Sequence, residues 1–327
     1  MSPGQGRGRV SLPDDLGIVV VHHGNPDLLE QNLVGLGLAA GGGRVVVVDN
    51  FSGLSQRDLT TGLCRRHGWT LLSPALDLGF AAAANAGVRL LRSRGCRRLL
   101  ILSPEVRISG AGALVLAEEC AKNPQRLLSP RIAHPDGSLW VGGATVHARP
   151  GRAMTGADAD GSAPSGWLGG ICLMIHASLW EWLGGFDEDY FLGWEDVDLS
   201  WRCVAAGGSV AVRDDVVAVR GTGGAGDEGR SPVYVYFNCR NRLAFAATHL
   251  GRWRILGWLL LSPAYAVDVL RGAARRDPGR ALGPLALAAV RGTLSGGALA
   301  VRKLVTASSP RERFPSARPA APARERS

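Results

Sequence analysis

The chain has 327 residues, 46% of them hydrophobic and 20% charged. That balance excludes a disordered polymer and supplies one large or two modest domains with a buried core. Its net charge of +9 is uneven: residues 251–327 carry fourteen Lys/Arg against four Asp/Glu, so the first 250 residues are close to neutral. A basic tail of this kind does not argue for nucleic-acid binding; rich in Leu and Trp, it suits an anionic membrane surface better. The six cysteines (64, 96, 120, 172, 203, 239) show neither Cys-x-x-Cys nor zinc spacing and read as reduced, buried thiols in a cytosolic setting.

In chain order, residues 1–16 read as a flexible leader, polar and without the apolar run of a signal peptide. Gly17-Ile18-Val19-Val20-Val21 is a β-branched run that predicts a buried parallel strand. Asn25-Pro26-Asp27 starts a helix, with Leu28, Leu29, Leu33 and Leu36 at helical spacing. Arg44 to Asn50 is a second buried strand ending in two polar residues, and Leu71-Leu72 a short third. Residues 80–92 predict a helix of small residues, 98–102 another buried strand, and 108–122 a helix. Strand and helix thus alternate through the first half, the pattern of an α/β fold with a mostly parallel sheet. His22, His23, Asp49, Asn50 and Glu105 fall just after strands, at the carboxyl edge where such sheets bind ligands. Adjacent His22 and His23 point to opposite faces of a strand, which argues against joint metal ligation.

Residues 130–170 read as loops and short strands, 171–175 as a strand, 177–183 as a short helix, 196–206 as a helix and 209–220 as two short strands. Gly221 to Gly226 reads as a flexible loop and 234–250 as a helix. Residues 252–270 are apolar with Trp253, Trp258 and Tyr265, but the uncharged part, 255–267, is shorter than the roughly 20 residues a bilayer span needs. An interfacial helix is expected there, then a second apolar segment at 281–290. The last twenty residues read as disordered. The resulting division is a leader at 1–16, a main domain at 17–250, an amphipathic helical region at 251–305 and a basic tail at 306–327.

The stretch from Gly184 to Leu199 carries the chemistry. It holds six carboxylates within twelve residues (Asp187, Glu188, Asp189, Glu195, Asp196, Asp198), interleaved with Phe186, Tyr190, Phe191 and Trp194. Rings stack on the apolar face of a pyranose, and carboxylates accept hydroxyl hydrogen bonds or protons, so the pattern suits a sugar. Trp194, amid acids, is expected at the sugar, whereas Trp140 and Trp167 read as core or loop anchors. Arg240 and Arg242 are open between a phosphate contact and a solvated helix face.

Five blocks in order resemble glycosyltransferase family 2, in its bacterial rhamnosyltransferase-like branch, over roughly residues 17–250. They are Val19-Val20-Val21-His22-His23; Val46-Val47-Val48-Asp49-Asn50-Phe51-Ser52; Leu78-Gly79-Phe80-Ala81-Ala82-Ala83-Ala84-Asn85-Ala86-Gly87; Gly184 to Leu199; and Asn238-Cys239-Arg240-Asn241-Arg242. The resemblance implies a GT-A fold and transfer of a sugar, with inversion, from a nucleotide-diphospho-sugar (dTDP-rhamnose-like or a UDP-sugar) to a hydroxyl of a glycan or lipid-linked acceptor. It implies that Asp196 is the general base, that Trp194, Glu195 and Asp198 orient the acceptor or hold the motif, and that Val21, His22, Asp49, Asp77, Asn85, Glu105 and Arg220 surround the donor. It also implies a cytoplasmic enzyme, peripheral to the inner face of the membrane.

A divalent metal, Mg²⁺ or Mn²⁺, belongs to the same resemblance, with Glu105 the residue that would hold it. Two departures count against it. Ser103-Pro104-Glu105 stands where the family pattern has Asn-Pro-Asp or Asp-x-Asp. Arg220 stands where the pattern has a His, and arginine stays protonated and cannot ligate a cation. Either Arg220 takes over some of the metal's charge-neutralising role, or the chain is a non-catalytic nucleotide-sugar-binding or scaffold protein with a degraded metal site. A dinucleotide-binding oxidoreductase is excluded, because His22-His23-Gly24-Asn25-Pro26 follows the first strand in place of Gly-x-Gly-x-x-Gly.

Overall fold

A computed structural model describes residues 12–36, 44–141, 144–147, 152–155, 166–221, 231–276, 279 and 281–306. The leader through residue 11, the glycine loop from residue 222 and the tail from residue 307 lie outside the described residues. The elements follow in order: β1 Leu16–His22, α1 Pro26–Val34, β2 Val45–Asp49, α2 Leu54–His67, β3 Thr70–Leu72, α3 Gly79–Ser93, β4 Arg98–Leu102, β5 Val106–Ile108, α4 Gly110–Lys122, β6 Arg126–Ala133 and β7 Leu139–Val141. Then come β8 Ala144–His147, β9 Arg152–Thr155, β10 Gly166–Trp167, β11 Cys172–His176, α5 Ala177–Leu183, α6 Glu195–Ala205, β12 Ser209–Arg220, α7 Pro232–His249, α8 Arg252–Leu260, α9 Ser262–Arg276 and α10 Leu282–Val305.

The main sheet runs β3-β2-β1-β4-β11-β6-β12-β5, with β7 paired to β6, and a small second sheet runs β10-β8-β9. β1, β2, β3, β4, β6 and β12 share one direction, and β11 is antiparallel to both β4 and β6. The parallel strands are apolar runs because both faces are covered. One face packs Ile18, Val20, Val45, Val47 and Leu100 against α1, α2 and α4; the other packs Val19, Val46, Val48, Leu99 and Ile101 against α3 and α5. All six cysteines are buried free thiols.

Two expectations are corrected here. Residues 209–220 form one strand, β12, with an irregularity between Arg213 and Val217, and not two strands. The segment read as a helix from 108 opens with strand β5, and α4 starts at Gly110 behind Ser109, whose side chain accepts the Gly112 N–H.

The C-terminal helices form a separate layer on α7. α10 lays Ala289, Gly292, Gly296 and Ala300 against it, small residues that allow close approach of the helix axes. A cluster of Tyr190, Trp194, Val197, Phe245, Ile255, Trp258 and Ala300 then joins this layer to the acidic motif. The second apolar segment is longer than expected: α10 has 24 residues and is apolar enough to cross a membrane by length and composition, one third of it buried within the protein.

Candidate active site

The shared direction of β1, β2, β4 and β12 brings His22, Asp49, Glu105 and Arg220 to one edge of the sheet, since each lies at or just past a strand's carboxyl end. β11 enters the sheet from that same edge. Ser103 N–H donates to Ile171 O at 2.8 Å, so Gly170 and Ile171 lie beside the turn that carries Glu105. Asp196 is tied to this point: Gly170 N–H donates to its Oδ2 at 2.8 Å, and Val197 N–H donates to its Oδ1 at 2.8 Å.

Asp196 is the second residue of α6, and the chain enters that helix through Trp194 in the left-handed region (φ 74°). A bulky residue there is strained, a condition that survives only where the surroundings fix it. The fixing contacts come from the last block of the resemblance: Asn241, fully buried, donates to Leu192 O (3.1 Å) and Gly193 O (2.8 Å), and Arg240 donates to Asp189 O (2.9 Å). Burial raises Asp196 to about 6, against the lowering pull of its backbone donors. Burial and then the neighbouring Asp196 charge push Glu195 up further, and among the described residues Glu195 Oε2 is buried without a hydrogen-bond partner. The two titrate as a pair in which Glu195 keeps the proton longer and Asp196 is the member ionised near neutrality. For Asp198, burial would raise the carboxyl, but the His249 hydrogen bond and the Arg202 charge outweigh it and hold it low. His249 Nε2 lies 2.6 Å from its Oδ1, and Arg202 Nη2 lies 2.6 Å from Oδ2. Asp198 therefore holds the motif together. Arg202 extends the brace to Leu183 O and Gly185 O at 2.6 and 2.8 Å.

The third block serves the same scaffold. Gly79 has φ +73°, and a Cβ there would collide with Phe191 O, while Phe80 N–H donates to that same oxygen at 2.9 Å. Gly185 also has φ +73°, and its missing Cβ leaves room for Asn85 Oδ1. Asn85 spends its amide on the motif, donating to Phe186 O (2.9 Å) and Glu188 Oε1 (2.9 Å) and accepting from Phe186 N–H (3.1 Å).

Several residues expected at the donor have protein partners of their own. Asn85 faces the motif's backbone and braces it. Asp49 is fully buried, accepting from Ser52 N–H (3.1 Å) and Arg57 Nε (3.2 Å), so its carboxylate shapes the turn after β2. The His22 side chain is buried against Thr60, and burial lowers its pKa to about 4, so the ring is neutral; its carbonyl accepts Asn50 N–H. Val21 is likewise buried. Asp77 is exposed and accepts Asn50 Nδ2–H at 2.7 Å, with Asn50 Oδ1 taking Leu78 N–H. The Trp194 ring is not on a sugar-facing surface: it is 5% exposed, packed on Phe245 and Trp258. Arg242 is also interior, donating to Trp258 O and Ser262 Oγ at 3.1 Å and lying over the Trp258 and Tyr265 rings. Phe51, which the second block contains without a role, is an aromatic 48% exposed just past β2 with φ 64° and Arg57 over its ring. Its signal was an apolar aromatic between Asn50 and Ser52, where a turn residue is expected.

Glu105 and Arg220, the two departures from the family pattern, meet. Arg220 Nε and Nη2 both donate to Glu105 Oε2, at 2.9 and 2.8 Å, and Gly221 N–H donates to Glu105 O at 2.8 Å. Among the described residues no group of three His, Cys, Asp or Glu converges as a cation site. A carboxylate neutralised by a guanidinium is a poor seat for a divalent ion, because the ion would lie against a fixed positive charge. Among the described residues, this donor set does not fit a metal.

A strand edge with ligand-facing turns, an adjoining acidic helix start and interlocking motif blocks define a glycosyltransferase of GT-A fold. More particularly, its curated relatives are a rhamnosyltransferase and a hexosyltransferase, which it resembles. It is 27% identical over 224 residues to an N-acetylglucosaminyl-diphospho-decaprenol L-rhamnosyltransferase of Mycobacterium tuberculosis, covering 60% of this chain and 72% of that one. It is 23% identical over 244 residues to the low-salt glycan biosynthesis hexosyltransferase Agl10 of Haloferax volcanii, covering 71% and 75%. The crystal structure of GalNAc-T7 with UDP, GalNAc and Mn²⁺ shares the fold, with a TM-score of 0.52 at 14% identity; the match covers 71% of this chain and half (50%) of that one. No protein-family model matches the chain.

Proposed function

We propose that the protein transfers a sugar, with inversion at the anomeric carbon, from a nucleotide-diphospho-sugar to a hydroxyl of a glycan or lipid-linked acceptor. The observation that carries this is Asp196: a carboxylate fixed by two backbone N–H groups beside the sheet's ligand edge, its pKa raised by burial to about 6. A base of that strength is mostly ionised at neutral pH yet basic enough to take a proton in the transition state. Asp196 accepts the acceptor's hydroxyl proton, the oxygen forms its bond to the anomeric carbon from one face, and the bond to the diphosphate breaks on the other with its electron pair leaving on phosphate. Glu195, protonated and buried, keeps a second negative charge away from the base. Phe51 offers a face to the nucleotide base at the end of β2. The rhamnosyltransferase relative supports a rhamnosyl donor and a lipid-diphosphate-linked acceptor; the hexosyltransferase relative supports transfer of a hexose in glycan synthesis.

The acceptor side is proposed to work at the inner face of an anionic membrane. α8 exposes Trp253, Leu256 and Leu260, and α10 exposes Leu287, Val290, Leu294, Val301 and Val305, each set at helical spacing. Exposed Arg252, Arg254, Arg291 and Arg302 flank them. Apolar stripes bordered by arginines match an interface of acyl chains below anionic headgroups. The same helices pack on the acidic motif through Trp194 and Trp258, which brings a lipid-borne acceptor toward Asp196.

Calorimetric titration of dTDP, UDP and GDP tests the donor reading. Binding of one of them names the donor class; binding of none would leave a scaffold that has lost its ligand.

A further inference from the structure

We infer that Phe191, Phe237 and Tyr236 form the platform on which the acceptor's sugar ring lies, an assignment that rests on the sugar transfer proposed above. The acidic block holds four aromatics, and three are sealed in the interior: Phe186 and Tyr190 are 2% exposed and Trp194 5%. Phe191 is the exception and is only partly buried. It stacks on Phe237 of α7, with ring centroids 4.8 Å apart and planes 20° from parallel. Tyr236 stands edge-on to Phe237, 5.0 Å away. Both α7 rings are also only partly buried, and among the described residues the Tyr236 hydroxyl makes no hydrogen bond. Rings that hold each other in place and stay open to solvent offer a rigid apolar ledge, and such a ledge suits the C–H face of a pyranose. Little side-chain freedom is left to lose when the sugar binds.

The position of the ledge assigns it to the acceptor. The Phe191 ring sits on Gly79, where a Cβ would come within 2.7 Å of its Cδ2. Gly79 N–H donates to Asp77 Oδ1 at 2.9 Å, and Asp77 is bonded to Asn50 just past β2, so one end of the ledge adjoins the sheet's ligand edge. At the other end, Gly292 of α10 rests on the backbone of Tyr236. Three residues after Phe191 the chain turns through Trp194 into α6 and Asp196. The ledge therefore lies between the loop that carries the base and the helices with exposed apolar faces. A sugar borne on a lipid held at those helices meets these rings on its way to Asp196. The acidic block does contribute a ring to the sugar, as its composition suggests, but the ring is Phe191 and not Trp194.

The test is saturation-transfer NMR on the full chain with the methyl β-glycosides of glucose, N-acetylglucosamine, galactose and mannose, each in the presence of dTDP, UDP or GDP, with calorimetry of the same nucleotides on the same samples. One glycoside at least is expected to receive saturation from the protein's aromatic protons, most strongly on the C–H groups of one ring face. Phe237→Leu, which keeps apolar bulk and removes the ring, should weaken that glycoside about three- to tenfold and leave the diphosphate Kd within about twofold. Phe237→Trp should bind it as the parent does. Phe191→Leu should repeat the loss and serves as the readout if the Phe237 variant does not fold. Glycoside binding that survives both leucine variants means that the rings only pack, and overturns the inference. Loss of the diphosphate with the glycoside retained puts the nucleotide on the ledge and also overturns it. A chain that binds a nucleotide and none of the glycosides overturns the inference and leaves the transferase reading standing; a chain that binds neither overturns both.

Discussion

At the scale of single residues, the account turns on two neighbouring carboxyls with different duties. Glu195 is buried and raised further than Asp196, so Glu195→Gln, which copies its protonated form, should retain most activity. Because Asp196 must be ionised to accept a proton, kcat/KM should fall as pH drops through about 6, and not near 4 where an ordinary aspartate titrates. A pH–rate profile checks both the position and the sign of that limb. Asp198 has the opposite shift. Its pKa is depressed in the folded state, so its contribution to stability is present above the ordinary aspartate range and is lost as pH falls through the folded value. Asp198→Ala leaves buried Arg202 without its carboxylate and should cost about 3–5 kcal/mol, measurable by urea denaturation. Asp196 stands out in the sequence because its acidic block is both dense and punctuated by glycine. Trp194 was misread because an aromatic among acids looks the same whether its ring meets a sugar or a core; its partners Phe245 and Trp258 lie on helices late in the chain, which periodicity does not connect.

At the scale of elements, several motif residues bond to the backbone of the acidic loop and brace it. α3 meets the loop before α6 through Gly79 and Asn85, and α7 meets it through Asn241. Gly79→Ala should therefore cost about 1–3 kcal/mol from its left-handed backbone alone, with the Phe191 collision added. It should lower kcat more than it raises the Kd for nucleotide, since the disturbance reaches the Asp196 side first. Thermal melting with nucleotide calorimetry separates these effects. The buried strands β1, β2 and β4 were readable as unbroken apolar runs. β12 was read as two strands because Arg213, Asp214 and Asp215 interrupt its apolar pattern where the strand is irregular, and β5 escaped notice because three residues carry no period. Asp49 and Asn85 were assigned to the donor from their positions in the blocks; what those side chains bond to is a tertiary fact that their local sequence does not contain.

At the scale of the whole molecule, the sheet presents its ligand edge on one side and the C-terminal helices add a second, apolar and basic surface joined to it through a shared core. The protein should co-sediment with vesicles containing anionic lipid and much less with neutral ones, and added salt should weaken the association. Trp253→Glu with Leu294→Glu should reduce it while leaving nucleotide binding unchanged, because both side chains are exposed and lie outside the donor edge. Fold class and the basic C-terminal quarter were both visible in the chain. The Glu105–Arg220 contact was not, because 115 residues separate the two and only the closed sheet brings them together.

The measurement that bears most directly on the central claim is transfer by Asp196→Asn, assayed with dTDP-rhamnose and UDP-sugar donors beside calorimetry of the matching diphosphate. The substitution keeps the shape of the side chain and removes the base. Turnover should fall by about 10²–10⁴-fold while the diphosphate Kd stays as in the parent. A variant that binds nucleotide and keeps most of its turnover would contradict Asp196 as the base and, with it, the mechanism built on this edge of the sheet.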